Sequence, residues 1–173
     1  MGELIFEFEP RKAIEVILML ATRLPNPGLH NLTHLLYFAD RMSLERYGRF
    51  IAGDDYFAMM HGPVPSNTYN LLKEAAGTDK YGFVTEGRCV RPLRGPDLEC
   101  LSDSDIECLE QALHEYGALG FEQIRDRSHD TAYTTAWDVR GEKLSSRISI
   151  ESMAAGLEDS DKLLAYLRST NLE

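Results

Sequence analysis

Asp55-Tyr56-Phe57-Ala58-Met59-Met60-His61-Gly62-Pro63-Val64-Pro65-Ser66 is the stretch on which the fold class turns. Asp55 to Met60 is aromatic-rich and too brief for a helix, so it reads as a strand. Residues that precede proline are pushed out of the helical region, and neither Pro63 nor Pro65 can donate a backbone hydrogen bond. His61 to Pro65 therefore reads as a rigid extended loop, either a structural corner or a contact surface. Ser66 reads as the cap of a following helix, with Tyr69, Leu72 and Ala76 at helical spacing and Gly77 closing it.

Upstream, Arg11 to Leu24 is apolar on most sides, with a narrow polar stripe through Arg11, Glu15 and Thr22. That pattern predicts a buried helix stopped by Pro25, Pro27 and Gly28. Asn31 reads as the cap of a second helix running to Tyr47 and stopped by Gly48, with Gly53-Asp54 as a turn pair. Downstream, Phe83 to Leu93 reads as a small hairpin turning at Glu86-Gly87. Ser102 with Asp105 forms a capping-box pattern opening a helix to Tyr116, and Phe121 to Ser128 reads as a shorter helix. Arg140 to Arg147 reads as a loop, followed by short helices over Ile150–Leu157 and Lys162–Leu167.

The resulting expectation is a mainly α fold with a small β element (α+β), a compact single-domain helical bundle carrying a short strand or hairpin. At 173 residues with 43% apolar content, the chain is long enough to bury a core without cross-links. Lys and Arg number 18 against 28 Asp and Glu, a net charge of −10 that disfavours nucleic-acid backbones. No apolar run approaches the length of a membrane span, and the acidic start lacks the basic region of a signal peptide, so the expected location is cytoplasmic. Cys89, Cys100 and Cys108 lack paired spacing and read as buried or half-buried free thiols.

The motifs for chemistry are sparse. His30 and His34 stand one helical turn apart, but Asn31 occupies the place where a metalloprotease helix needs glutamate, so they read as a half-exposed pair and no metal is expected. Ser128-His129-Asp130 are sequence neighbours, an arrangement unsuited to a triad, and His129 reads as a helix C-terminal residue. Phosphate loops and dinucleotide fingerprints are missing, so no cofactor is expected. An acid-base enzyme using Asp40, His61 and His129 requires all three to converge on a cleft, which makes it the remote alternative. A repressor would need a basic recognition helix, which is not evident.

Several stretches, in order, resemble the Panacea, or SocA-like, antitoxin domain of bacterial and phage toxin-antitoxin loci. They are Leu35-Leu36-Tyr37-Phe38-Ala39-Asp40-Arg41, Arg46-Tyr47-Gly48-Arg49, Gly53-Asp54-Asp55-Tyr56, and Ala58 to Ser66 with Tyr69 beyond. Leu101 to Asp105, Tyr116-Gly117, Ser128-His129 and Trp137 are similar to the family's second half. The chain departs at Thr33-His34, Phe50 and Met60.

The resemblance implies an antitoxin domain over 1–137 and a helical extension over 138–173 packed on it. It implies a protein without catalysis that neutralises a cognate toxin by direct binding; the alternative is an adaptor delivering the toxin to a Clp-type protease. A homodimer is left open, and neither nucleic acid nor membrane is an expected partner. The residues it marks for partner binding or the family motif are Tyr37, Asp40, Arg41, Tyr47, Asp55, Tyr56, His61, Gly62, Pro63, Val64, Pro65, Ser66, Tyr69, Ser128, His129 and Trp137. Whichever of Tyr37, Tyr47, Tyr56, Tyr69 and Tyr133 are exposed are the candidate aromatic anchors for a partner, and at least half of the five are expected to pack in the core.

Overall fold

In the computed structural model, which describes residues 2–171, α1 (Pro10–Arg23) and α2 (Leu29–Tyr47) supply most of the core. Val16, Ile17, Leu18 and Leu20 of α1 and Leu32, Leu35, Leu36, Phe38 and Ala39 of α2 are almost fully buried. Glu15, expected on the polar stripe of α1, is buried as well, because its carboxylate takes two hydrogen bonds from Arg94 and one from the Asp97 amide. Gly28, not Asn31, occupies the N-cap of α2, so Asn31 lies inside the first turn. Gly48 ends α2 as expected, in the left-handed conformation at φ 68°.

The β element is larger than a lone strand. β1 (Tyr56–Met59) pairs antiparallel with β2 (Gly62–Pro65), Phe57 opposite Val64 and Met59 opposite Gly62. The stretch expected as a loop is thus itself a strand. β2 lies at the sheet edge, where prolines two apart place their missing N–H groups on one side of the strand. β5 (Ser146–Arg147) pairs with the other side of β1, Ala58 opposite Ser146, and interrupts the expected 140–147 loop.

α3 (Ser66–Glu74) begins at Ser66 itself with Pro65 at its N-cap, and no side chain from that position caps it. Asp54 does so from twelve residues upstream, accepting from the amides of Asn67 (2.9 Å) and Thr68 (2.8 Å) and from the Thr68 hydroxyl (2.6 Å). β3 (Phe83–Glu86) and β4 (Cys89–Pro92) form the expected hairpin, turning at Gly87-Arg88, one residue later than read.

α4 (Asp103–Tyr116) opens with the expected Ser102–Asp105 capping box, and α5 (Phe121–Ser128) follows as read. α6 (Thr131–Val139) was not foreseen, its polar threonines obscuring the apolar period; Asp130 caps it through the Tyr133 amide. α7 (Ile150–Ala155) and α8 (Ser160–Thr170) close the chain, with Met153, Ala154, Leu163 and Leu167 buried in the common core. α2 is central, packed against α4, α5, α7 and β2. No described helix is long and apolar enough to cross a membrane.

The segment before α1 is stitched to distant parts of the molecule. The Leu4 amide donates to Glu151, Glu3 pairs with Arg147, and the Glu9 amide donates to the Ala52 carbonyl. At the other end, the Tyr166 ring of α8 covers Gly48, leaving no room there for a Cβ.

Candidate functional site

The family-like residues converge on the β1–β2 hairpin and the helix ends beneath it. Asp40 is completely buried in α2 and accepts from the Ile51 amide (2.7 Å) and the Tyr56 hydroxyl (2.6 Å). Burial pushes its carboxyl up to about 7, against the opposing pull of those two donors. Tyr56 is held far above the ordinary tyrosine range, by burial first and then by the neighbouring Asp40, so it stays a donor.

One turn earlier, the Tyr37 hydroxyl donates to Asp130 (2.6 Å), and Arg41 approaches the same carboxylate at 3.3 Å. Asp130 thereby ties α2 to the start of α6. Asp55 takes a hydrogen bond from Arg147 (2.6 Å), joining the beginning of β1 to β5.

Under the hairpin tip, His34 presents Nδ1 to the His30 carbonyl (2.7 Å) and Nε2 to the His61 carbonyl (3.1 Å). Burial holds its pKa down to about 4, so at neutral pH the ring is neutral and donates to one of the two. His34 is therefore a buried tie between α2 and the tip; the half-exposed reading holds for His30 alone. Gly62 has φ 127° and lies against His34 and the Ser128 hydroxyl, so a side chain there collides with both. The Tyr133 hydroxyl donates to the Met59 carbonyl (2.6 Å) and fixes the other arm of the tip.

These ties leave a small set of side chains facing outward. His61 is exposed, its ring edge-on to Phe121 at 5.5 Å, and Phe121 stacks on His30 at 3.9 Å. Met60 and Phe121 are 68% and 43% exposed. Leu144, two residues before β5, is 88% exposed. The result is an apolar knob with a histidine at its centre, held by buried hydrogen bonds.

Of the other marked residues, Pro63 and Pro65 are buried, while Val64, Ser66 and Tyr69 are half-buried along β2 and α3, Tyr69 with Lys73 5.1 Å above its ring. Ser128 is buried and donates to the Arg125 carbonyl (2.6 Å). His129 occupies the C-cap of α5 as expected, but burial lowers its pKa, so it sits there as a neutral ring and not as a cation stabilised by the helix end. His129, Tyr133 and Trp137 stack in succession, and the Arg140 guanidinium lies 3.4 Å over Trp137.

Of the five tyrosines, Tyr37, Tyr56 and Tyr133 are at most 2% exposed and serve the core, as expected for at least half of them, and are not anchors. Tyr47 is 38% exposed and bonded to Glu107 at 2.8 Å. The acid-base set does not assemble: Asp40 is sealed inside with both oxygens engaged, whereas His61 is at the surface. Cys89 is exposed, contrary to expectation, while Cys100 is half-buried and Cys108 buried. The departures from the family pattern land at telling places: His34 is the tie, Phe50 packs edge-on against Phe6 and Tyr56, and Met60 heads the knob.

Asp54 and Phe121 were missed as site-building residues. Asp54 acts on a helix twelve residues away, a link with no local signature, and Phe121 reads only as a helix-start residue. No curated protein and no solved structure matches the chain. A family profile described as antitoxin SocA-like, Panacea domain, matches residues 32–138, which take in most of α2, the whole β1–β2 hairpin, α3 to α5 and nearly all of α6. With more than half of its length covered, the chain belongs to the SocA-like Panacea antitoxin family.

Proposed function

We propose that this protein is an antitoxin that neutralises a cognate toxin in the cytoplasm by direct binding, without catalysis of its own. The antitoxin domain in this reading is 1–137, with 138–173 a helical extension on the same core. The observation that supports contact over catalysis is the hairpin tip. Its polar groups, those of His34, Tyr133 and Ser128, are turned inward, while Met60, His61 and Phe121 face solvent on a pre-organised frame. A rigid apolar anchor loses little conformational entropy on binding and suits a buried interface centre. Active-site chemistry would instead leave acids and bases open to a cleft.

The test is co-expression with the product of the adjacent small gene. Growth rescue and co-purification are expected, and Met60→Asp or Phe121→Asp should abolish both, the exposed Met60→Asp without shifting the melting temperature. A gene product that arrests growth with or without this protein, and fails to co-purify, overturns the antitoxin reading. Neutralisation that survives both substitutions moves the contact elsewhere.

A further inference from the structure

Lined by none of the marked residues, a cleft of about 510 Å³ runs between the first turns of α1 and the segments leading into and out of the β3–β4 hairpin. That volume is typical of small-molecule sites. Three cations line it, Arg11, Lys80 and Arg94, on a chain whose net charge is −10.

The two carboxylates in the lining are already engaged. Glu15 is buried; Oε1 accepts from Arg94 Nη2 at 2.7 Å, and Oε2 accepts from Arg94 Nη1 at 3.0 Å and the Asp97 amide at 2.7 Å. Asp97 accepts from the Glu99 amide (3.1 Å) and the Cys100 thiol (3.5 Å). Arg11 and Lys80 pair with no carboxylate among the described residues.

Arg94 is positioned as well as charged. The buried Glu15 grips two of its nitrogens, and Gly82, at φ 85°, leaves room for its side chain to lie flat where a Cβ would strike Nε at 2.6 Å. Nη1 also donates to the Gly95 carbonyl at 3.0 Å, so the ligand is left the second hydrogen of Nη2, offered at small entropic cost by a guanidinium already fixed in place. Ile14 and the half-buried Tyr81 supply an apolar wall beside the cations.

From this arrangement we infer that the cleft binds a small phosphorylated ligand carrying a flat ring. The phosphate sits between Arg11, Lys80 and Arg94, and the ring lies against Ile14 and Tyr81. A phosphate monoester carries about −1.5 to −2 charges at neutral pH and three terminal oxygens. With Arg94 paired to Glu15, Arg11 and Lys80 stand against the single carboxylate of Asp97, so the lining keeps a net positive charge, and the three phosphate oxygens can reach all three cationic side chains where a carboxylate offers two. The inference does not depend on the toxin-binding reading, since the hairpin tip contributes nothing to this cleft.

The experiment is calorimetric titration of the intact protein with phenyl phosphate, inorganic phosphate and benzoate. Saturable binding of phenyl phosphate is expected, tighter than either of the others and weakened by added salt. Arg11→Ala and Lys80→Ala should each weaken it about tenfold, the loss of one charge-assisted hydrogen bond. Both side chains are exposed and form no ion pair, Lys80 resting only against the Tyr81 ring at 5.1 Å, so an unchanged circular dichroism melt shows that the fold is intact. Absence of binding into the millimolar range, or binding indifferent to both substitutions, overturns the site. Benzoate binding as tightly as phenyl phosphate overturns the phosphate assignment, and inorganic phosphate doing so overturns the role given to Ile14 and Tyr81.

Discussion

Asp54 and Thr68 are joined twice, the Thr68 amide and hydroxyl both donating to Asp54 Oδ2 at 2.8 and 2.6 Å. The helix after the hairpin is thus capped from before the hairpin, which closes the loop 54–68 into one unit. Asp54→Ala should cost about 2–3 kcal/mol, a lost cap plus buried donors left without acceptors. Ser66→Ala, at the position where the sequence alone places the cap, should stay within about 0.5 kcal/mol. Urea denaturation of the two variants checks the contrast.

Gly62→Ala places a methyl group against His34 and Ser128 at a φ that side chains rarely adopt. A loss of about 3 kcal/mol is expected from strain and displacement together. Pro63→Ala, on the sheet edge, should cost only about 1 kcal/mol through greater freedom of the unfolded chain. Thermal melts of both variants rank them.

Stability should depend on pH through two opposing groups. Asp40 is raised from 3.8 to about 7 in the fold, so its contribution is full below pH 3.8 and is lost as pH rises through 7. His30 and His34 are lowered from 6.5 to about 4, so theirs is full above pH 6.5 and is lost as pH falls through 4. Asp40→Asn should remove the decline towards pH 7 while preserving the acid-side loss. Denaturation free energies measured from pH 4 to 8 test this, and an unchanged profile for the variant contradicts the Asp40 assignment.

At −10, the chain should attract a basic partner over long range. Surface fields are screened beyond about 8 Å at physiological salt, so the association rate with the toxin should fall as salt rises. Dissociation should change little, being governed by desolvated anchors such as Met60 and Phe121. Stopped-flow kinetics across a salt series separate the two rates.

The helices with strong apolar spacing and standard stops, α1, α2, α4 and α5, were legible because local rules fix them. Gly48 and the Ser102–Asp105 box end and begin their helices where the residues say they should. β2 was not legible: its two prolines signal irregular backbone, and only the sheet-edge position makes them compatible with pairing. Glu15 looked like surface because its partner Arg94 lies 79 positions away. The tyrosines of the family-like stretches show the same limit. Tyr37 and Tyr56 resemble interface anchors by composition, and only the buried partners Asp130 and Asp40 identify them as struts.

The stitching of Glu3 and Leu4 to the 147–151 segment bears on the order in which the molecule is made. Leu4 waits for Glu151, 147 positions later, and Glu3 for Arg147. At about 5–20 residues per second, a ribosome takes on the order of ten seconds to deliver those partners, and several more before they clear the exit tunnel. Helices α1 to α4 have left the ribosome's decoding site well before then, but the seam between Glu3, Leu4 and the 146–151 segment has to wait for its second half. A nascent chain halted before that point carries a hairpin flanked by neither β5 nor the leading segment. The pace of translation thus sets the moment at which a finished hairpin first becomes available.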